Sequence, residues 1–208
     1  MVISQTAESF CEISNVIARG GVIAFRTDTF YGLGADPLNR SAVQKLKQLK
    51  GREECKPILI VISDRKQVSR FIQPSATFNL LAERFWPGPL TLIGRATADV
   101  PVEITAGTET VGIRLPSDDR VRALIEACGG ALTATSANPS HEAPANTAEE
   151  VRTYFGDNID LIVDDGTART DRPSTVVDVR GSEPKLVREG VIAWEEIQRE
   201  LNKVASSR

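Results

Sequence analysis

Pro57-Ile58-Leu59-Ile60-Val61-Ile62 is the stretch that decides the fold. Five apolar residues follow the proline without the alternation of a half-exposed strand, so the segment reads as a strand covered on both faces, with Pro57 tolerable at its start. A strand of that kind needs helices on either side. Upstream, Val43, Leu46 and Leu49 line one side of a helix that Ser41 can cap and that ends near Lys50-Gly51. Further back, GVIAF at 21 to 25 reads as a short buried strand, after a helix over 7 to 18 that places Phe10, Ile13, Val16 and Ile17 on one face. Between them RTDTFYGLGADP, rich in Gly, Asp and Thr, reads as a functional loop.

Downstream the alternation continues. Strands are expected at 90–94, 110–115, 130–134, 160–163, 175–179 and 184–188, with helices near 65–84, 118–128 and 146–155. Trp194, Ile197, Leu201 and Val204 recur at spacings of three and four, which predicts a closing helix over about 193–204. The expected fold class is therefore α/β, one domain over 1–208 with its motif-bearing core at about 7–192, built on a mixed β-sheet flanked by helices. Loops at strand ends are where such a sheet takes a ligand.

The 208 residues and 41% hydrophobic content suit one large soluble domain and exclude collagen-like, coiled-coil and wholly disordered chains. With 25 Lys and Arg against 28 Asp and Glu the net charge is −3, so any anion site must be local. Cys11, Cys55 and Cys128 are widely spaced and odd in number, as reduced thiols would be. His141 is the single histidine, which removes His-rich zinc sites; no metal ligand set is expected. No leader and no apolar run of membrane-spanning length is legible, so a cytoplasmic location and no membrane partner are expected.

Nucleotide signatures of the common kinds fail. There is no G-x-x-x-x-G-K-[ST], and Gly32-Leu33-Gly34 lacks the third glycine of G-x-G-x-x-G. The basic run Lys45, Lys47, Lys50, Arg52 and Lys56 stands out, although cations on a solvated helix face near its C-terminal dipole would look the same. LTATSANPSHEAPANT at 132 to 147 gathers hydroxyls and amides that could meet a phosphate, or could form a turn and an N-cap at Asn146 or Thr147. Arg114 lies among apolar neighbours in VGIRLP and needs a partner: an internal carboxylate such as Asp118 or Asp178, or the carboxylate of a ligand. Ser174 and Thr175 open one strand and Arg188 ends another.

Taken in order, TDTFYGLGADP, Lys50-Gly51-Arg52, Lys56-Pro57, WPGPLTLI, VGIRLP, TSANPS, PSTVVDV and LVREG resemble the threonylcarbamoyl-AMP synthase family, the YrdC-like domain, over roughly residues 20–190. The paired K-x-R and S-x-N elements are the most specific part. The resemblance implies a twisted mixed sheet with a concave basic cavity. It also implies a nucleotidyltransferase that converts threonine, bicarbonate and ATP to threonylcarbamoyl-AMP and pyrophosphate, for the t6A modification of tRNA. Residue by residue it places Lys50 and Arg52 in catalysis and, with Lys56, Thr110, Ser136, Asn138, Pro144 and Arg188, around ATP. Thr29, Arg114, Ala134 and Ser174 fall on threonine positions, Ala134 through its backbone. Mg²⁺ is expected to accompany the ATP phosphates, and downstream t6A-transfer proteins to take the product.

A second reading is a non-catalytic relative binding double-stranded RNA or tRNA, or acting in ribosome maturation, against which the net charge counts. A third is carbamoyl transfer from carbamoyl phosphate, as in related domains of hydrogenase-maturation proteins. Two positions depart from the family pattern: Glu53 stands where proline often follows the arginine, and Val61 where a threonine-contacting His often lies. A valine there would leave threonine separated from serine by methyl packing alone. Alternatively, Val61 simply completes the apolar strand.

Overall fold

The computed structural model describes residues 1–51, 56–168, 172–181 and 183–205. The chain runs β1 (Val2–Ser4), α1 (Phe10–Ala18), β2 (Ile23–Arg26), β3 (Tyr31–Gly34), α2 (Arg40–Lys50), β4 (Leu59–Ile62), β5 (Ile72–Gln73), α3 (Ala76–Phe85), β6 (Leu90–Ala96), α4 (Val102–Thr105), β7 (Thr110–Arg114), α5 (Asp119–Ala127), β8 (Ala131–Ser136), α6 (Ala148–Phe155), β9 (Leu161–Asp164), β10 (Thr175–Asp178), β11 (Lys185–Arg188) and α7 (Trp194–Ala205). The strands form one eleven-stranded sheet in the order β1-β9-β2-β3-β8-β4-β7-β6-β10-β11, with β5 added to β6. β4 pairs parallel to β7 and antiparallel to β8, so the stretch that opened the reading is the centre of a mixed sheet.

Period two in β4 divides its side chains between two cores. Ile60 and Ile62 join the larger cluster with Leu46 of α2, Phe78 of α3, Val151 of α6 and Ile197 of α7. Val61 faces the other way and packs with Ile13 and Ile17 of α1 and Val121, Leu124 and Ile125 of α5. One sheet face is thus covered along its length. On the other, α1 and α5 cover one end and leave the rest open, and that opening positions the site.

Several expectations are corrected. YGLG is not loop but β3, buried throughout, where a Cβ at Gly34 would lie 2.7 Å from the Phe25 ring; the glycine admits the aromatic. The expected helix over 65–84 is split. Residues 65–70 make a short 3₁₀ turn, β5 follows, and Pro74 ends it before Ser75 caps α3 through Phe78 N at 3.1 Å. α2 is capped by Asn39, whose Oδ1 accepts from Ala42 N at 3.1 Å, rather than by Ser41, and closes on Gly51 at φ +56°. Thr147 caps α6 by accepting from Glu150 N. Trp194 and Leu201 of α7 pack on the larger core as expected; the Val204 side chain lies outside the described ones.

Cys11 and Cys128 are free thiols, and burial pushes Cys128 up to about 12, which keeps it protonated and inert. Cys55 lies outside the described residues. Among the described residues no helix is long and apolar enough to cross a membrane.

Candidate functional site

The open part of the sheet face is a cleft of about 650 Å³, within the range of small-molecule sites. Strand register lays its floor out in rows. Val61 pairs with Arg114, Val176 with Thr91 and with Arg188, and the Leu92–Ile113 pair places Thr91 beside Arg114. One row therefore reads Val61, Arg114, Thr91, Val176, Arg188. The next joins Ala134 to Leu59 and Gly112 to Ile93. Alternation sends both rows to the same face, and all of these except Val61 line the cleft. Val61 is fully buried under α5 instead, so the reading of it as a threonine-contacting position fails; the β4 side chain at the cleft is Leu59.

Arg114 is 3% exposed. Its charge partner is Asp28 of the β2–β3 connection, with Nη1 3.0 Å from Oδ1, and neither Asp118 nor Asp178. Asp118 pairs with Arg26 and Asp178 with Arg180. Arg114 Nε has no hydrogen-bond partner among the described residues. A buried guanidinium that lines a cleft with a donor unspent can take a carboxylate. Above it the Thr27 hydroxyl donates to Phe30 O at 2.7 Å. In the 3.1 Å contact between the two threonine hydroxyls Thr29 must therefore donate, which leaves the Thr29 lone pairs to Arg114 Nη1 at 3.5 Å and to a ligand.

Tyr31, on the same block, donates from its phenol to Gly166 O at 2.7 Å, and burial pushes that phenol up to about 12. It is a strut between β3 and the segment after β9.

At the other end of the row Ser174 joins the elements. Its Oγ lies 2.9 Å from Thr91 Oγ1, while its carbonyl accepts from Arg188 Nη2 at 2.9 Å and Nε at 3.2 Å. Arg188 is exposed as a residue, but partial desolvation of its guanidinium at the cleft wall, and after it the Arg114 charge, hold that group below the usual arginine value. Two cations thus face one cleft that no described carboxylate lines.

Lys50 explains why K-x-R and S-x-N go together. The residue is 6% exposed, and its ammonium donates to Ser136 O at the end of β8, to Ser136 Oγ at 3.3 Å and to Asn138 Oδ1 at 3.1 Å. Its own carbonyl accepts from Ser140 N at 3.1 Å. The end of α2 is therefore stapled to the 136–140 turn.

The structure gathers Thr29, Arg114, Ala134, Ser174, Ser136, Pro144 and Arg188 around the cleft. Lys50, Lys56, Thr110 and Asn138 are not among its lining residues, and Arg52 and Glu53 lie outside the described residues. Thr110 sits on the cleft-facing side of β7 beyond Gly112, its hydroxyl 2.8 Å from that of Thr108. Lys56 is exposed at the approach to β4. Sequence reasoning missed Asp28, in the connection between β2 and β3, and Leu59, Thr91, Ile93 and Gly112, whose only signal is their parity along strands already expected.

Comparison with known proteins shows the family to which this sheet belongs. The Sua5_yciO_yrdC family model, described as telomere recombination, matches residues 15–190. The threonylcarbamoyl-AMP synthase of Halorhodospira halophila is 37% identical over 165 residues, covering 79% of this chain and 86% of the relative. That of Pyrococcus abyssi is also 37% identical, over 90% of this chain and 56% of the relative. Among solved structures, P. abyssi Sua5 complexed with L-threonine superposes with a TM-score of 0.93 at 33% identity, over 97% of this chain and 61% of that one. E. coli YciO follows at 0.82 and 26%, over 93% and 96%. The chain spans just over half the length of the P. abyssi protein and most of the Halorhodospira one. With the model matching nearly the whole sheet, and relatives above 30% identity over most of both chains, the chain belongs to the Sua5/YciO/YrdC family.

Proposed function

We propose that the protein is an L-threonylcarbamoyladenylate synthase, a nucleotidyltransferase acting on threonine, bicarbonate and ATP and serving the t6A modification of tRNA. The observation that carries this reading is Arg114, a buried guanidinium with an unspent donor at the floor of a cleft enclosed by Thr29, Ala134 and Ser174. An α-amino acid offers the carboxylate that fork requires. Its relatives named threonylcarbamoyl-AMP synthase, and the threonine complex of P. abyssi Sua5, support threonine as that amino acid.

In this reading Arg114 binds the carboxylate, while Thr29, Ser174 and the Ala134 backbone take the remaining polar groups. The amine joins bicarbonate with loss of water to give an N-carboxylate, whose oxygen attacks the α-phosphate of ATP and expels pyrophosphate. Anion attacks anion, so fixed positive charge is required. Arg188 supplies it from the cleft wall and Lys56 from the approach to β4; the family resemblance adds Arg52, which lies outside the described residues. Lys50, hydrogen-bonded to Ser136 and Asn138, holds the turn that passes the nucleotide at Pro144, and Thr110, beyond Gly112 on the cleft-facing side of β7, is a further nucleotide contact. The nucleophile is already ionised, so no imidazole base is needed.

Mg²⁺ would ease the phosphate charge, but among the described residues no three His, Cys, Asp or Glu groups could cage it and no carboxylate lines the cleft. The described residues thus offer such an ion no protein cage, and its charge would be supplied together with the nucleotide. The test is pyrophosphate release from ATP. It should require threonine and bicarbonate together; release indifferent to either one would overturn the reading.

A further inference from the structure

Gly112 stands mid-strand in β7, where no turn and no left-handed backbone calls for glycine. Glycine inside a strand forfeits packing and backbone entropy, and close approach of a ligand is one reason to keep it there. The absent side chain points into the cleft. A Cβ at 112 would lie 3.1 Å from Thr91 Cγ2, 3.6 Å from Leu59 Cβ and 3.7 Å from Ile93 Cγ1. These three residues and Gly112 all line the cleft. They form an apolar saucer about one methyl group deep, floored by backbone.

The saucer has a fixed relation to the polar groups. Arg114 is two residues along the same strand and on the same face, Ala134 lies across Leu59, and Ser174 is tied to Thr91. Those residues surround the saucer. Gly112 is therefore within reach of the side chain of an amino acid whose carboxylate sits on Arg114. Thr91 divides its work: its hydroxyl turns to Ser174 while its methyl walls the saucer.

We propose that this saucer seats the β-methyl group of the amino-acid substrate, which makes Gly112 the residue that favours threonine over serine. The inference rests on the cleft being the amino-acid site. One apolar methyl contact is worth roughly 10- to 200-fold in discrimination. Gly112→Ala would fill the saucer with a methyl of its own, displacing that of threonine while still admitting serine.

The experiment is pyrophosphate release with ATP, bicarbonate and either threonine or serine, on wild type, Gly112→Ala and Ile93→Ala. Wild type should prefer threonine by about tenfold or more. Gly112→Ala should lose roughly tenfold or more in kcat/KM for threonine and less than about threefold for serine, so the preference collapses. The alanine suits the strand backbone, so Tm should stay within roughly 4 °C. Ile93→Ala, which widens the saucer without the 3.1 Å contact, should also lower the preference, severalfold, with ATP affinity unchanged; it decides the matter if Gly112→Ala does not fold. A wild-type enzyme that uses threonine while neither variant changes the threonine-to-serine ratio overturns the saucer alone. Wild type inactive with both amino acids overturns the saucer together with the activity on which it rests.

Discussion

Arg26 and Arg114 are two strand-end guanidiniums, 2% and 3% exposed, flanking the TDT block and each leaving one nitrogen without a hydrogen-bond partner among the described residues. Burial and an orphaned N–H therefore do not by themselves separate them. What separates them is how many carboxylates each meets and whether it reaches the cleft. Arg26 Nη2 lies 2.9 Å from Asp118 and also contacts Asp165, while its Nε donates to the Asp165 carbonyl at 2.9 Å. Burial works against its charge, yet Asp165 and Asp118 outweigh that and raise its pKa above the usual arginine value. Arg114 has Asp28 alone and lines the cleft. The same residue type thus makes a closed structural knot on one side of the block and an unfinished site on the other.

The comparison breaks most easily at Arg26. Arg26→Met takes the guanidinium from between Asp118 and Asp165, leaving Asp165 with the more exposed Arg120 and Asp118 with the Arg120 N–H, and losing one member of a buried ionic network costs about 3 to 5 kcal/mol. At roughly 2 to 4 °C per kcal/mol in a chain of this size, Tm should fall by about 10 °C or more. A loss below about 1 kcal/mol in urea denaturation would mean that the knot contributes little.

Arg114→Lys sharpens the other half. Charge against Asp28 survives, so stability should change by less than about 1 kcal/mol, while the planar fork is lost. Threonine affinity should drop by about 1.5 to 3 kcal/mol, roughly tenfold to a hundredfold, with ATP affinity within about twofold. Equal weakening of both ligands in calorimetry would make Arg114 a second structural knot.

Thr91→Val tests the neighbour in the same row. It keeps the methyl that walls the saucer and removes the hydroxyl held 2.9 Å from Ser174. One neutral hydrogen bond is worth about 1 kcal/mol, so the threonine KM should rise about fivefold with kcat largely retained. An unchanged KM would show that Arg188, bonded to the Ser174 carbonyl, suffices to place Ser174.

Why Arg26 and Arg114 differ could not be read from the sequence, although the fold around them largely could. PILIVI announced a doubly covered central strand because five apolar residues leave no face for water, and that strand is β4. β3 stayed hidden because Gly32 and Gly34 mimic a loop; the ring of Phe25 that needs Gly34 comes from β2, a fact of pairing. The split of 65–84 has a sequence signal in Pro74, which apolar spacing alone does not register. For the site, the motif blocks carried Thr29, Ala134, Ser174 and Arg188 to the cleft, whereas Leu59, Thr91, Ile93 and Gly112 look like ordinary strand residues. Their meaning lies in cross-strand register, which no single segment contains. Val61 shows the converse: it is on the cleft-facing side of its strand, and only the placement of α5 buries it.

The smallest effect belongs to a pair open to water, Lys45 and Asp160, whose side chains are 41% and 33% exposed. Burial raises the Asp160 carboxyl, but the Lys45 ammonium at 2.7 Å and the Val22 N–H at 2.7 Å outweigh it and hold the group below its ordinary value of 3.8. A carboxyl depressed on folding releases its proton more readily in the folded state, so its stabilisation is present above pH 3.8 and is lost as pH falls below that toward the folded value. Solvent screens a pair this exposed, which keeps its contribution under about 1 kcal/mol. Asp160→Asn removes the titration while leaving an oxygen that can accept from Val22. The stability difference between wild type and Asp160→Asn, from urea denaturation at pH 7 and at pH 3, should therefore shrink as the pH falls. Salt should shrink it further at pH 7, because the Lys45 contact is open to counterions. A difference that stays constant across that range would place the whole of Asp160's contribution in its bond to Val22 and none in its charge.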